Sequence, residues 1–191
     1  MKPLAFIAGV LVLAAQSGIA QTTTWVSDPV HSEVDFGISH MTLSKVHGRF
    51  GGVNATIVYN QADVTKSTVT ATIGVGTVDT GVEQRNTHLK SPDFFDVATM
   101  PSATFTSTSV TKNGDKLSVA GNLTLHGVTK PVVLDVEGPV TPITDPKGNQ
   151  HSGFSATAKL DRTAFGIGPK FPAAMLGDEV TIEIELEVVK Q

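Results

Sequence analysis

The sequence predicts an antiparallel all-β domain of about eight strands, closed as a barrel or folded as a two-sheet sandwich, with one short helical crossover. Period-two alternation of apolar and polar residues runs through most of the chain, turn chemistry separates the alternating runs, and a single segment departs from that period. Val34, Phe36 and Ile38 alternate with Glu33, Asp35 and Gly37. Val69, Ala71, Ile73 and Val75 follow with threonines between them, then Leu117, Val119, Leu123 and Leu125. Val132, Leu134 and Val136 form the next run, followed by Phe154, Ala156, Ala158 and Leu160. Val180, Ile182, Ile184, Leu186 and Val188 close the series. One apolar and one polar face per strand is the pattern of antiparallel strands around a single interior. Lys112-Asn113-Gly114-Asp115 carries a hairpin signal, His126-Gly127 sits between two alternating runs as a turn, and Asp145-Pro146-Lys147-Gly148-Asn149 is a longer loop of turn formers.

Residues 1–20, MKPLAFIAGVLVLAAQSGIA, have one lysine, an apolar run from Leu4 to Ala15, and small residues at Gly18 and Ala20. This reads as a secretory signal peptide cleaved after Ala20, and the apolar run is too short to span a bilayer. Residues 21–191 then form one exported, non-membrane-spanning domain of about 170 residues, large enough for a substantial core. Without Lys2 the chain has 13 basic and 18 acidic residues, a net charge of −5. That sign argues against nucleic acid as a partner and against general adhesion to anionic lipid. The chain has no cysteine, so neither a disulfide framework nor a lipid-anchored N-terminal cysteine is available.

The departure from period two lies in RNTHLKSPDFFD, Arg85 to Asp96. Thr80-Gly81-Val82-Glu83 fits a capping box; Val82, Arg85 and Leu89, with His88 beside them, then fall on one helical face before Pro92 ends the run. Ser91-Pro92-Asp93 can start a further turn that delivers Phe94 and Phe95. A barrel of about eight strands is just wide enough to hold one small or elongated ligand, and its ends need covering. Phe94 and Phe95 either plug one end as core residues or touch a bound hydrophobe while Arg85, His88 or Lys90 faces its polar head.

At this point the residues resemble a known family. HSEVDFGISHM (His31 to Met41), VHGRFGG (Val46 to Gly52), RNTHLKSPDFFDV (Arg85 to Val97), MPSATFTS (Met100 to Ser107), GNLTLHGVTKPV (Gly121 to Val132) and DRTAFGIG (Asp161 to Gly168) occur in the order found in the YceI-like family of periplasmic lipid-binding proteins. The family pattern has Arg-Asp before the His-Leu, and Asn86 replaces that acid here. The resemblance implies a lipocalin-like barrel in the periplasm, enclosing a long isoprenoid, an isoprenoid quinone or a similar amphiphile. It implies no catalytic residue set and no cofactor other than the bound isoprenoid-type lipid. Dimers are common among relatives, and the final strand, Val180 to Val189, is a candidate edge for a second copy.

Candidate ligand-binding residues follow. Phe36, Ile38 and His40 share one parity and point inward together, so His40 near a barrel end can hydrogen-bond a phosphate or quinone oxygen or be satisfied by backbone. Met41 and Phe50 read as packing, with Met41 a soft contact to an irregular lipid. Arg85, His88, Leu89, Phe94 and Phe95 come from the crossover. Phe165 stands at another rim beside Arg162, which can tie that rim together through Asp161 or Asp178. His31, Glu33 and Asp35 share a strand face and His47 follows, but no metal-ligand motif occurs and no metal is expected. Gly-x-Ser-x-Gly is missing, so an enzyme is not expected. The alternatives to a lipid carrier are a ligand-free structural or adhesive β-sandwich and a quinone-linked stress enzyme.

Overall fold

The computed structural model describes residues 22–191; the expected signal peptide, residues 1–20, lies outside them. Its strands are β1 (Thr22–Ser27), β2 (Glu33–His40), β3 (Ser44–Gly51), β4 (Asn54–Asn60), β5 (Thr68–Gly74), β6 (Ser102–Asn113), β7 (Lys116–Leu125), β8 (Val128–Glu137), β9 (Ile143–Thr144), β10 (Gln150–Asp161) and β11 (Leu176–Lys190). One helix, α1 (Glu83–Lys90), interrupts them between β5 and β6. Eight strands close an antiparallel ring in the order β11, β1, β4, β5, β6, β7, β8, β10 and back to β11. The ring excludes the two-sheet sandwich, which has no such closure.

The closing pair is β10 with β11, matched residue for residue from His151↔Val189 to Asp161↔Glu179. The other side of β11 is shared. Val188–Lys190 pair with β1, whereas Leu176–Glu185 pair with β2. At one end of the barrel the wall is therefore carried on by the β2–β3 hairpin instead of β1. The sequence marked the final strand as an edge for a second copy; the structure corrects this, because β11 is bonded on both sides. The terminal strands of the sheet are β3 and β9.

The alternating apolar residues face inward as the period demands. At the end of the barrel away from the β2–β3 hairpin, Trp25, Ile57, Phe105, Val110, Val119, Val136, Phe154 and Val188 are buried in one cluster. Two turns set the register of β6, β7 and β8. Gly114, at φ 62°, begins the two-residue loop that pairs Asn113 with Lys116. His126 and Gly127, at φ 51° and 71°, both adopt the left-handed conformation that a type I′ hairpin needs, and the His126 ring is bonded to the Phe165 carbonyl at 3.0 Å.

The start of α1 differs from the capping box. Val82 occupies the cap position and no side chain caps the helix. Asn86 takes Thr80 away from that role: its Oδ1 accepts from the Thr80 amide at 2.8 Å and the Thr80 hydroxyl at 2.7 Å, and its amide donates to Asp79 at 3.1 Å. With Gly81 at φ 72°, the chain turns sharply between Thr80 and the helix. Val82 is exposed and joins no apolar face. The buried residue of α1 is Asn86, so the helix is anchored by polar bonds.

Arg162 is the strongest tie at the same end. Its side chain is 3% exposed and pairs with Asp178 at 2.9 Å. Its other bonds, at 2.7–2.9 Å, go to the carbonyls of Gly177, Ile167, Gly168, Phe171 and Leu176. One planar guanidinium thus fixes the whole 166–178 excursion between β10 and β11, using a fork of donors that lysine lacks. Asp161 is engaged instead with the Thr163 amide and hydroxyl. Arg162→Ala is expected to lower stability by about 3–5 kcal/mol in urea unfolding, because it strips buried acceptors of their partner. Arg162→Lys should recover only part of that loss, and a variant as stable as the parent would contradict the assigned role.

Candidate ligand cavity and its portal

The barrel encloses a cavity of about 890 Å³ lined by inward residues of nearly every strand. Natural interiors are packed with few voids larger than a water molecule, and ligand pockets run to roughly 300–1,000 Å³. This cavity therefore has the size of a binding site. Its wall is apolar along the barrel: Val34, Ala55, Ile73, Leu123, Leu134, Ala158, Ile182 and Ile184 are representative.

Polar side chains concentrate at the end formed by β2, β3 and α1. His40, Ser44, Lys45, His47, Thr80, Arg85 and His88 line the cavity there. Several of them, including His40, Lys45, His47 and His88, are also exposed to solvent, so the cavity opens at this end. The opening has a structural origin. The outer edge of β3 is tied across at Arg49, whose amide and carbonyl bond Asp79 at 2.8 and 2.9 Å, and at Gly51, whose carbonyl accepts from the Thr77 hydroxyl at 3.2 Å. Beyond Arg49 the edge from Ser44 to Gly48 pairs with no further strand among the described residues, and its residues Ser44 to His47 line the cavity mouth, the portal of the barrel.

Most predicted residues meet here. Phe36, Ile38 and His40 line the cavity with Phe50, as their parity requires. Phe36 and Phe50 lie 5.5 Å apart between ring centres, and Phe95 meets Phe50 edge-on at 5.4 Å. Gly48 makes room for this row: opposite Phe36 in register, it could not carry a Cβ, which would come within 2.5 Å of that ring. Phe94 has a different setting. It is buried with Phe165 and Ile167, stacks on Phe171 at 5.1 Å, and receives the edge of His88 at 5.0 Å. Both phenylalanines line the cavity, Phe94 within a packed plug and Phe95 on the wall of the portal.

Arg85 lies at the portal with its Nε donating to the Thr80 hydroxyl and an Nη to the Thr80 carbonyl. Among the described residues it forms no ion pair, and its charge lines the portal held by neutral acceptors. His88 pairs with Asp93 at 3.2 Å, and the same carboxylate takes Lys170 at 2.7 Å, which holds Asp93 below the usual carboxylate range. Leu89 lines the cavity, as expected. Lys90 does not. Met41 is also corrected: it sits at φ 52° in the β2–β3 turn, half exposed and outside the cavity lining, because strand parity ends at His40.

Sequence reasoning missed Lys45, His47, Tyr59, Phe171 and Met175 as lining residues. Tyr59 belongs to the Ile57 parity of β4 and was recoverable from alternation. Lys45 and His47 have the outward parity of β3 and reach the cavity because that edge is free, which no periodicity encodes. Phe171 and Met175 lie in the irregular excursion held by Arg162.

A closed β-barrel with an apolar interior and a polar mouth is the architecture of a barrel binding protein. The YceI-like domain model matches residues 25–188, and the chain belongs to that family. It is 36% identical to Protein YceI of Salmonella newport over 188 residues, covering 98% of this chain and 97% of that one. The crystal structure of Burkholderia cenocepacia BcnA superimposes with a TM-score of 0.73 at 25% identity, covering 84% of this chain and 98% of BcnA. A polyisoprenoid binding domain from Saccharophagus degradans, implicated in plant cell wall breakdown, shares the fold at TM-score 0.64 and 17% identity, covering 86% and 97% of the two chains. No helix among the described residues is long and apolar enough to cross a membrane.

The far end of the barrel has its own charge cluster. His31 pairs with Asp28 at 3.0 Å, not with Glu33 or Asp35 on its predicted face. His151 bridges Glu187 at 2.9 Å and Asp145 at 3.3 Å. Asp28, His31 and Glu187 place one ligand atom each within 4.8 Å of the others. The Glu187 and Asp145 carboxylates raise the His151 pKa above its ordinary value. A raised folded-state pKa stabilises fully below the unfolded value of about 6.5 and ceases to do so as pH rises through the folded value. His151→Gln should therefore depress the melting temperature more at pH 5.5 than at pH 9. Equal depression at both would assign His151 a packing role alone.

Proposed function

We propose that this protein is an exported, periplasmic carrier of a long isoprenoid chain, an isoprenoid quinone or a similar amphiphile, held in the barrel with its polar head at the portal. The single observation that carries the reading is the continuous apolar cavity ending at a cluster of cationic and imidazole side chains. Each methylene transferred from water into such a wall contributes roughly 0.8 kcal/mol. Ordering a flexible chain offsets much of this, so affinity stays below the simple sum. Arg85 supplies a fixed positive charge, and His40, His47 and His88 supply donors or acceptors matched to a phosphate or quinone oxygen. The polyisoprenoid binding domain of Saccharophagus degradans has the same architecture, which is consistent with this use of the barrel. The reading assigns cargo and no turnover, and it requires no cofactor.

Organic extraction of protein purified from the compartment to which it is exported, followed by mass spectrometry, should yield a long-chain isoprenoid or comparable amphiphile near one per barrel. Ala158 lines the cavity from the second half of β10. Ala158→Trp should abolish or shorten the extracted chain while leaving the far-ultraviolet circular dichroism unchanged. An empty extract, together with no uptake of a prenyl alcohol or prenyl phosphate from detergent micelles, would rule the carrier function out.

A further inference from the structure

The portal is framed by an apolar surface that the barrel itself does not cover. Leu43 at the tip of the β2–β3 hairpin is 83% exposed, Met41 is 50% exposed, and Met175 is 51% exposed. The three stand on one rim: the Met41 amide donates to the Met175 carbonyl at 2.9 Å, joining the hairpin to the turn before β11, and Leu43 is two residues further on in the hairpin turn. Single exposed apolar residues need no explanation, but three on one rim at the mouth of a cavity call for one. Met175 also lines the cavity, so the patch continues into the barrel.

The tip is held by unfavourable backbone. Met41 and Thr42 have φ values of 52° and 58°, a left-handed conformation that side chains other than glycine rarely adopt and that is an outlier for a β-branched residue. The Thr42 hydroxyl donates to the Met41 carbonyl at 2.6 Å within this turn. A strained turn that presents a leucine to solvent indicates a role for its shape.

Charge identifies the partner. Lys66, Lys116, Lys159, Lys170, Arg49 and Arg162 each form ion pairs with carboxylates. Seven others, Lys45, Arg85, Lys90, Lys112, Lys130, Lys147 and Lys190, are in none of the ion pairs among the described residues, and of these Lys45 stands immediately beside the tip and Arg85 within the portal. A chain of net charge −4 thus leaves cations unpaired beside its apolar rim. Apolar side chains flanked by cations match the boundary layer of an anionic bilayer, where the apolar groups enter the headgroup region and the cations meet lipid phosphates. A hydrophobic cargo, moreover, is taken from and returned to bilayers.

We infer that the rim formed by Met41, Leu43 and Met175, flanked by Lys45, docks on an anionic phospholipid surface with the portal facing the lipid. This rests on the carrier reading of the cavity and adds the surface through which cargo is exchanged. It is compatible with the acidic whole, because attraction is local to the rim and decays within a Debye length of about 10 Å at moderate salt.

The test is flotation of the exported protein with vesicles of phosphatidylcholine alone or mixed with phosphatidylglycerol. Binding should favour the anionic vesicles and weaken with salt. Lys45→Glu should reduce it at least about fivefold, and Leu43→Asp about tenfold or more. Leu43→Trp should retain binding and shift its emission to the blue on adding anionic vesicles. No flotation, equal flotation with neutral vesicles, or flotation untouched by Leu43→Asp overturns the inference. So does a change of oligomeric state in Leu43→Asp with no vesicle binding by the parent, which would assign the rim to a second copy. Uptake of a prenyl phosphate from micelles separates the two proposals. Parent protein that loads from micelles but ignores vesicles defeats docking alone, whereas failure to load defeats the carrier reading. Leu43→Asp, whose side chain lies outside the cavity lining, should load from micelles like the parent.

Discussion

A hollow β-barrel stands only if its wall closes through backbone hydrogen bonds, because the interior is not filled by its own side chains. In this protein the closure is the pairing of β10 with β11, unbroken from His151↔Val189 to Asp161↔Glu179. With every wall strand bonded on both sides, the backbone polar groups are satisfied within the wall and the inner face is free to be apolar. Small residues then set the bore. Ala156 and Ala158 on β10, with Ala55 and Ala71 across the barrel, leave the space that larger side chains would occupy.

The length of β11 explains why the barrel has unlike ends. Its C-terminal residues pair with β1, where Trp25 and Val188 help to form a solid floor. Its N-terminal half pairs with β2, and the hairpin that follows carries an edge beyond the ring. That edge is the physical origin of the portal. At the same end, the 166–178 excursion would be a loose loop without the Arg162 guanidinium, which gathers five carbonyls and Asp178 around one buried cation. Phe94, Phe165 and Ile167 pack as a plug on that fixed side, whereas Phe36, Phe50 and Phe95 form a more open aromatic wall toward β3.

What the sequence revealed follows the same division. The ring was legible because its constraint is periodic: Val180 to Val188 and Phe154 to Leu160 alternate as a two-sided wall must. The inward positions of Phe36, Ile38 and His40 came from that parity as well. The portal was not legible, since Lys45 and His47 reach it by lying on a free edge, and an edge is a property of topology. The helix start was misread for a related reason. Thr80 and Glu83 have the spacing of a capping box, but Asn86 makes two bonds to Thr80 from inside the helix and outcompetes a cap at the exposed end. Met41 failed because the rule of alternation stops where the chain turns, and the turn begins immediately after His40.

The amide of Asn86, where the sequence resemblance leads to the expectation of an acid, bears on the chemistry of the portal. A carboxylate at this position would face the Asp79 oxygen that the Asn86 amide contacts at 3.1 Å, and the like charges would repel. It would also place a negative charge beside Thr80, to which Arg85 is bonded. A neutral amide keeps the anchor of α1, satisfies Thr80 and Asp79 together, and adds no anion near the guanidinium. Arg85 is then held by neutral acceptors, and more of its positive potential is directed into the portal than an adjacent carboxylate would allow. In the proposed function a guanidinium held by neutral acceptors favours an anionic head group.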